Sequence, residues 1–384
     1  PAEKEAKRTV GTVPPARVGG TPRLKILLSF DHELSLGSAD SYARNLFDPT
    51  DGLLELADLL RVPITLFTDV CAAIRFRDWD HKGYFVPYQQ QVRRAVEQGH
   101  DVQLHIHPHW IDSSYQNGRF IPAMTYTLGC FRDRRWPDSI PGIVERGVAM
   151  LNELCLPCRA DYQCIAFRAG GFCLAPETAS VLAALYDAGI RIDSSIAKGN
   201  YIESAAATVD HRNMPARANW FIARGGPLDR EADEGLYEIP IAARPRTPWN
   251  NVPFLVKRVW YRSRRHRSDG LPFDEGRISL PIKIRRLFPQ SAWMLGFDNF
   301  TSGVSELMSI LAYHVRTHAH EDTVACSAIS HPKYMGVHSR QLMQQFVERV
   351  RAEYGTQVEF CTYRAIYDKL LRSRAPATAF AQNQ

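Results

Sequence analysis

Short apolar runs recur along the chain at intervals that fit an alternation of strands and helices. Strand-like runs fall at Leu24–Asp31, Ile64–Thr68, Val102–Ile106, Cys164–Arg168, Ile190–Asp193, Leu236–Ile241, Val324–Ser330 and Gln357–Cys361. Helical patterns lie between many of them, at Leu53–Leu60, Tyr88–Gln98, Ile143–Leu154, Pro176–Ala188, Ser305–Thr317 and Gln341–Tyr354. Pro176 suits a first helical turn, Glu177 beside it favours the positive end of the helix dipole, and Gly189 supplies a stop. Apolar strands that alternate with helices predict a parallel sheet covered on its outer face. Seven or eight such units favour a closed barrel over an open sheet.

The alternation fails between Ala197 and Thr301, apart from the run at Leu236–Ile241. Residues 199–235 and 244–300 are dense in Arg, Pro, Gly and aromatic side chains. They read as long insertions on one domain rather than as a second domain with its own core. In barrels such loops decorate the face where ligands bind. Residues 1–22 are polar and rich in Pro and Gly, and predict a loose N-terminal arm. Residues 374–384 predict a flexible tail, which leaves 23–373 as one barrel domain.

Composition narrows the class without naming a chemistry. Hydrophobic residues make up 45% and charged residues 23%, ordinary values for a globular protein with a proper core. The net charge of +6 permits an anionic substrate or membrane surface and requires neither. Nothing approaches the ~18 consecutive apolar residues of a membrane span. The opening Pro1–Arg8 does not resemble a signal peptide, so a cytoplasmic location is expected, with peripheral contact at the inner membrane as an option. The eight cysteines are irregularly spaced. Cys155-Leu156-Pro157-Cys158 follows a helix pattern and precedes a strand, the reverse of a redox pair's placement, so it reads as structural. The most basic stretch, 257–267, could meet an anionic glycan, a lipid-linked diphosphate or a membrane; no nucleic-acid-binding pattern surrounds it.

The candidate chemistry gathers at strand ends. Leu104-His105-Ile106-His107-Pro108-His109-Trp110 places three histidines in five positions at the end of an apolar run. His105 and His109, four apart, would converge on one ion if the strand turned there into a helical turn. His107 reads as a neighbour of that site rather than a ligand. Asp31, His105, Arg168, Asp193 and His331 each end a different predicted strand, and a parallel barrel brings such ends to one rim. In an extended strand Asp31 and Glu33 share a face while His32 points away. Glu33 is therefore the preferred carboxylate ligand, with His32 the alternative, since a strand end can turn. A second histidine group, His314, His318 and His320, reads as a solvated helix end.

The order Ser-Phe-Asp, His-x-x-x-His, Phe-Arg-x-Gly-Gly, Asp-Ser-Ser and Ile-Ser-His-Pro resembles the five motifs of the polysaccharide deacetylase (NodB-homology) family, carbohydrate esterase family 4. The resemblance runs from Leu24 to Pro332, outside the insertions. It implies a distorted (β/α) barrel of about seven strands and one divalent metal, usually zinc, that serves hydrolysis of an N-acetyl amide on an amino sugar. Carried over, Asp31 is the general base, held charged by Arg168. His105 and His109 are metal ligands, Gly171 helps hold the oxyanion, and His331 is the general acid, oriented by Asp193. The family's second motif aspartate is replaced by His32, and its Pro-Tyr by Gly170-Gly171. The substrate implied is a glycan or lipid-linked sugar of bacterial surface-polysaccharide (lipopolysaccharide-type) biosynthesis. Alternatives are hydrolysis of another C–N bond, in a formamide or cyclic amide, or a catalytically silent glycan-binding barrel.

Overall fold

The computed structural model describes residues 22–35, 41–203, 207–247, 249, 252, 256, 291–298, 301 and 303–371. The basic stretch 257–267, the tail, nearly all of the arm and most of the second insertion lie outside the described residues.

Seven parallel strands form the frame: β1 (Arg23–His32), β2 (Ile64–Asp69), β3 (Asp101–Ile106), β4 (Ala166–Ala169), β5 (Ile192–Asp193), β6 (Leu236–Glu238) and β7 (Thr323–Ser330), in the order β6-β5-β4-β3-β2-β1-β7. The sheet curls until its ends meet. Beyond β6 the chain runs along β7, where Ser327 N donates to Pro240 O at 3.1 Å and Ala242 N to Ser327 O at 2.8 Å. Lower down, the strands splay and the Asn219 amide fills the gap. It donates to Ala325 O at 2.8 Å and accepts from Ala325 N at 3.0 Å. A further strand, β8 (Val358–Phe360), pairs with Leu24–Ile26 of β1, below the point where β2 takes over at Leu28. Trp220–Ile222 adds an antiparallel edge to β6.

Helices α1 (Asp48–Leu60), α2 (Val70–Trp79), α3 (Val86–Glu97), α4 (Ile140–Cys155), α5 (Thr178–Asp187), α6 (Val304–Thr317) and α7 (Val337–Tyr354) accompany the barrel strands. The strands are buried on both faces, which is why they read as nearly continuous apolar runs. On β1, Leu24, Ile26, Leu28 and Phe30 join the helix-facing core, while Leu27 faces the lumen. The lower lumen is packed by Leu27, Phe67, Ile192 and Ala325 and is plugged by Tyr363 and Ile366. Above this layer the inward positions turn polar: Ser29, Asp31, Arg168, Ser194 and Ser327.

Three readings change. Helix α2 is absent from the periodicity because no residue separates it from β2; Asp69 ends the strand and also caps the helix, accepting from Cys71 N and Ala72 N. Helix α5 begins at Thr178, not Pro176, because Glu177 adopts a left-handed backbone with φ 67° and turns out to meet Arg132. His314 and His318 are buried on the inner face of α6, and only His320 is exposed, so the group is not a solvated helix end. No helix among the described residues is long and apolar enough to cross a membrane.

The seam supplies a stability test. Asn219→Ala leaves the buried N–H and C=O of Ala325 without partners, and is expected to cost about 1–3 kcal/mol. Urea unfolding followed by circular dichroism should show the lower midpoint. An unchanged midpoint would mean that backbone pairing alone closes the barrel.

Candidate metal centre and active site

Arg168 organises the upper lumen from β4. It is fully buried, and each of its three nitrogens has a partner. Nε donates to Ser194 O at 3.0 Å, and Nη1 to Asp31 Oδ1 at 2.8 Å. Nη2 lies within 2.7–3.2 Å of the hydroxyls of Ser29, Ser194, Ser327 and Tyr363. The second oxygen of Asp31 is left facing His105 Nε2 at 3.9 Å and His331 Nε2 at 3.8 Å.

Glu33 follows on the same face of the chain, as strand alternation predicts. Its Oε2 lies 3.2 Å from His105 Nε2 and in direct contact with His107 Nε2, and its Oε1 accepts from Lys333 Nζ at 2.8 Å. Burial works against ionisation of Glu33. The Lys333 ammonium and the two imidazoles outweigh it and hold the carboxyl well below the usual carboxylate range. His32 lies on the opposite face, with Nδ1 2.9 Å from Thr68 Oγ1 and Nε2 2.8 Å from Gln91 Oε1. Burial depresses its pKa to about 4. The geometry therefore sets Glu33, not His32, beside the histidines.

One ligand atom each from Glu33, His105 and His107 lie within 4.8 Å of one another. The expected pair was His105 and His109. The chain stays extended through Ile106, so residues 105 and 107 share a side, and the helical turn begins only at His109. The i, i+4 rule thus starts too late to apply. His107 fits because Gly170 lacks a side chain: a Cβ there would lie 2.7 Å from His107 Nδ1. Asp69 Oδ1 accepts from His107 N at 3.3 Å. His109 borders the cluster, its ring 5.5 Å from that of His107, and both its buried nitrogens lack hydrogen-bond partners. Burial and the neighbouring His107 depress its pKa to about 3, so its imidazole is neutral.

These residues fit a divalent ion. The donor set is one ionised carboxylate and two imidazoles, with an orphaned third imidazole alongside. His105 Nδ1 sits 2.8 Å from the carbonyl of Arg168, which assigns the proton to Nδ1 and leaves the Nε2 lone pair facing Glu33. Burial lowers the pKa of His105, yet Asp31 and Glu33 raise it further, and the same negative field favours a bound cation.

His331 stands on the opposite side, past the end of β7. Its Nδ1 lies 2.9 Å from Asp298 Oδ2, and its backbone N donates to Asp298 Oδ1 at 2.8 Å. Its Nε2 is 3.6 Å from Glu33 Oε1. Burial opposes protonation, but Asp298 prevails and the pKa is raised. Asp193 is not the partner of His331. It accepts from Ser195 Oγ at 2.6 Å and stands opposite Glu238 on β6. Burial raises the pKa of both carboxyls; Asp193 raises that of Glu238 further, whereas the hydrogen bond with Glu238 pulls that of Asp193 back down. Gly171 lies at the rim in a left-handed turn with φ 60°, next to Gly170.

Two site residues escape the motif reading. Asp298 sits near the end of the second insertion, and its one signal is the apolar run Ala292–Leu295 before it. Gly296 lets this segment press on β7, since a Cβ there would meet Ile329 O at 2.2 Å. Lys333 follows the His331-Pro332 motif by one residue and is buried, which its type does not suggest.

No family model and no curated protein matches the sequence. Solved structures do match. A Mycobacterium smegmatis protein provisionally named a polysaccharide deacetylase superposes with a TM-score of 0.50 at 14% identity, over 95% of this chain and 96% of that one. The chain has the NodB-type deacetylase fold. Puue allantoinase gives a TM-score of 0.46 at 12% identity, covering 94% of this chain and 95% of its own. A Pseudomonas aeruginosa PAO1 protein, also provisionally named a polysaccharide deacetylase, gives 0.44 at 12%, covering 91% and 93%.

The Gly170 contact yields a test of the histidine geometry. Gly170→Ala should displace His107 and weaken divalent-metal binding about 10–100-fold, the range for losing a residue that orients a ligand. Titration with Co²⁺ measures it, with circular dichroism to confirm the fold. Unaltered affinity would exclude His107 from the centre.

Proposed function

We propose that the protein is a metal-dependent hydrolase that removes an N-acyl group, acetyl in the leading case, from an amino sugar. The observation that carries this reading is one donor set, Glu33–His105–His107, with both Asp31 and the His331–Asp298 pair beside it. Amide hydrolysis needs both a proton acceptor for water and a proton donor for the departing amine.

Glu33, His105 and His107 would hold the ion, zinc by the chemistry of the donors, with His109 available beside them. When bound, the ion polarises the scissile carbonyl and acidifies water. Arg168 fixes Asp31 so that Oδ2 faces the reaction space, where it accepts the proton of the attacking water. His331 Nε2 delivers a proton to the leaving nitrogen, while Asp298 holds Nδ1–H and so sets the ring's orientation. The Gly171 backbone N–H is assigned to the developing oxyanion. A glycan or lipid-linked sugar of bacterial surface-polysaccharide biosynthesis is the proposed substrate. Residues 257–267 are proposed to contact an anionic membrane surface on its cytoplasmic side.

Acetate release from a panel of N-acylated amino sugars tests the reaction. Turnover confined to a formamide or a cyclic amide would move the enzyme to another C–N bond, and no turnover of any amide would leave a glycan-binding barrel. His331→Ala should lower kcat on the amide by about 10²–10⁴. Its effect on an activated ester, whose leaving group needs little protonation, should be far smaller. Equal losses on both would remove His331 from the acid role.

A further inference from the structure

Lys333 is used by none of these steps, yet it is the most deeply placed ammonium at the site. Its side chain is 4% exposed. Nζ donates to Glu33 Oε1 at 2.8 Å and to Leu34 O at 3.3 Å. It belongs to the turn Pro332–Tyr334, immediately after His331. Glu33 therefore divides its two oxygens between a permanent cation and the imidazole pair.

We infer that Lys333 is a resident cation that competes with the divalent ion for the charge of Glu33 and sets how tightly the site holds metal. This rests on the reading of Glu33, His105 and His107 as the metal centre. A divalent ion on Oε2 and an ammonium on Oε1 face each other across one carboxylate in a buried setting, where like charges repel strongly. Drawing Glu33's electron density toward the ion would weaken the one carboxylate that Lys333 contacts directly among the described residues. Lys333 is nearly buried, and its other contacts are the Leu34 carbonyl and the face of the Tyr334 ring, 5.2 Å from Nζ, neither of which carries the full negative charge that would offset this. The ammonium also fixes the Glu33 carboxylate in place. Fixing geometry strengthens metal binding and like charge weakens it, so the two roles predict opposite signs. We take the charge term as the larger, because burial leaves it little screened.

The test is a titration of chelator-stripped full-length protein with Co²⁺, read by its visible absorption, and with Zn²⁺ against a chromophoric chelator. Lys333→Met and Lys333→Gln keep the side chain's approximate length and remove its charge. Both should bind metal at least tenfold more tightly than wild type, whereas Lys333→Arg, which keeps the charge, should stay within about threefold. Glu33→Gln should abolish the difference between backgrounds. Metal binding by the neutral variants equal to or weaker than wild type would overturn the inference and leave Lys333 as a support for Glu33. A wild type that binds no metal would instead overturn the metal centre itself. Circular dichroism separates both results from misfolding; should Lys333→Met not fold, Lys333→Gln decides.

Discussion

Everything at the active rim depends on one buried arginine. Arg168 carries a full positive charge at zero exposure, which is tolerable only because Asp31 neutralises it and four hydroxyls and a carbonyl take the remaining donors. Those partners come from β1, β7, Ser194 just past β5 and the Tyr363 plug. The same contacts therefore tie β1, β4 and β7 together and aim Asp31. The Arg168 carbonyl also fixes the tautomer of His105. A change at Arg168 would leave Asp31 as an uncompensated buried carboxylate and disturb fold and chemistry together.

Above that layer, charge is distributed with a clear logic. Asp31, Glu33 and Asp298 supply the negative side, and Arg168, Lys333 and a readily protonated His331 supply the positive. The buried Asp193–Glu238 pair stands apart from this set, and burial shifts it toward the protonated form. The second insertion is part of this balance. It returns to β7 through Ile329 N to Leu295 O at 2.9 Å and delivers Asp298 to His331.

The barrel was legible because strands buried on both faces leave unbroken apolar runs, and those runs placed Asp31, His105, Arg168 and His331 at strand ends. Alternation along β1 separated Glu33 from His32. What sequence could not show was where extended chain gives way to helix. The helical turn starts at His109 rather than at His105, which moved the convergence from His105–His109 to His105–His107, and the absent gap after β2 hid α2. Asp298 and Lys333 escaped for another reason. Their roles arise from contacts made across hundreds of positions or from burial of a charged type, and no local pattern carries either.

The central claim is that Glu33, His105 and His107 converge on one divalent ion. An anomalous-difference map at the zinc edge, from crystals of zinc-loaded protein, tests it most directly. The account predicts one strong peak about 2.0–2.2 Å from Glu33 Oε2, His105 Nε2 and His107 Nε2. A peak bonded to His32, or no peak among these residues, would contradict it.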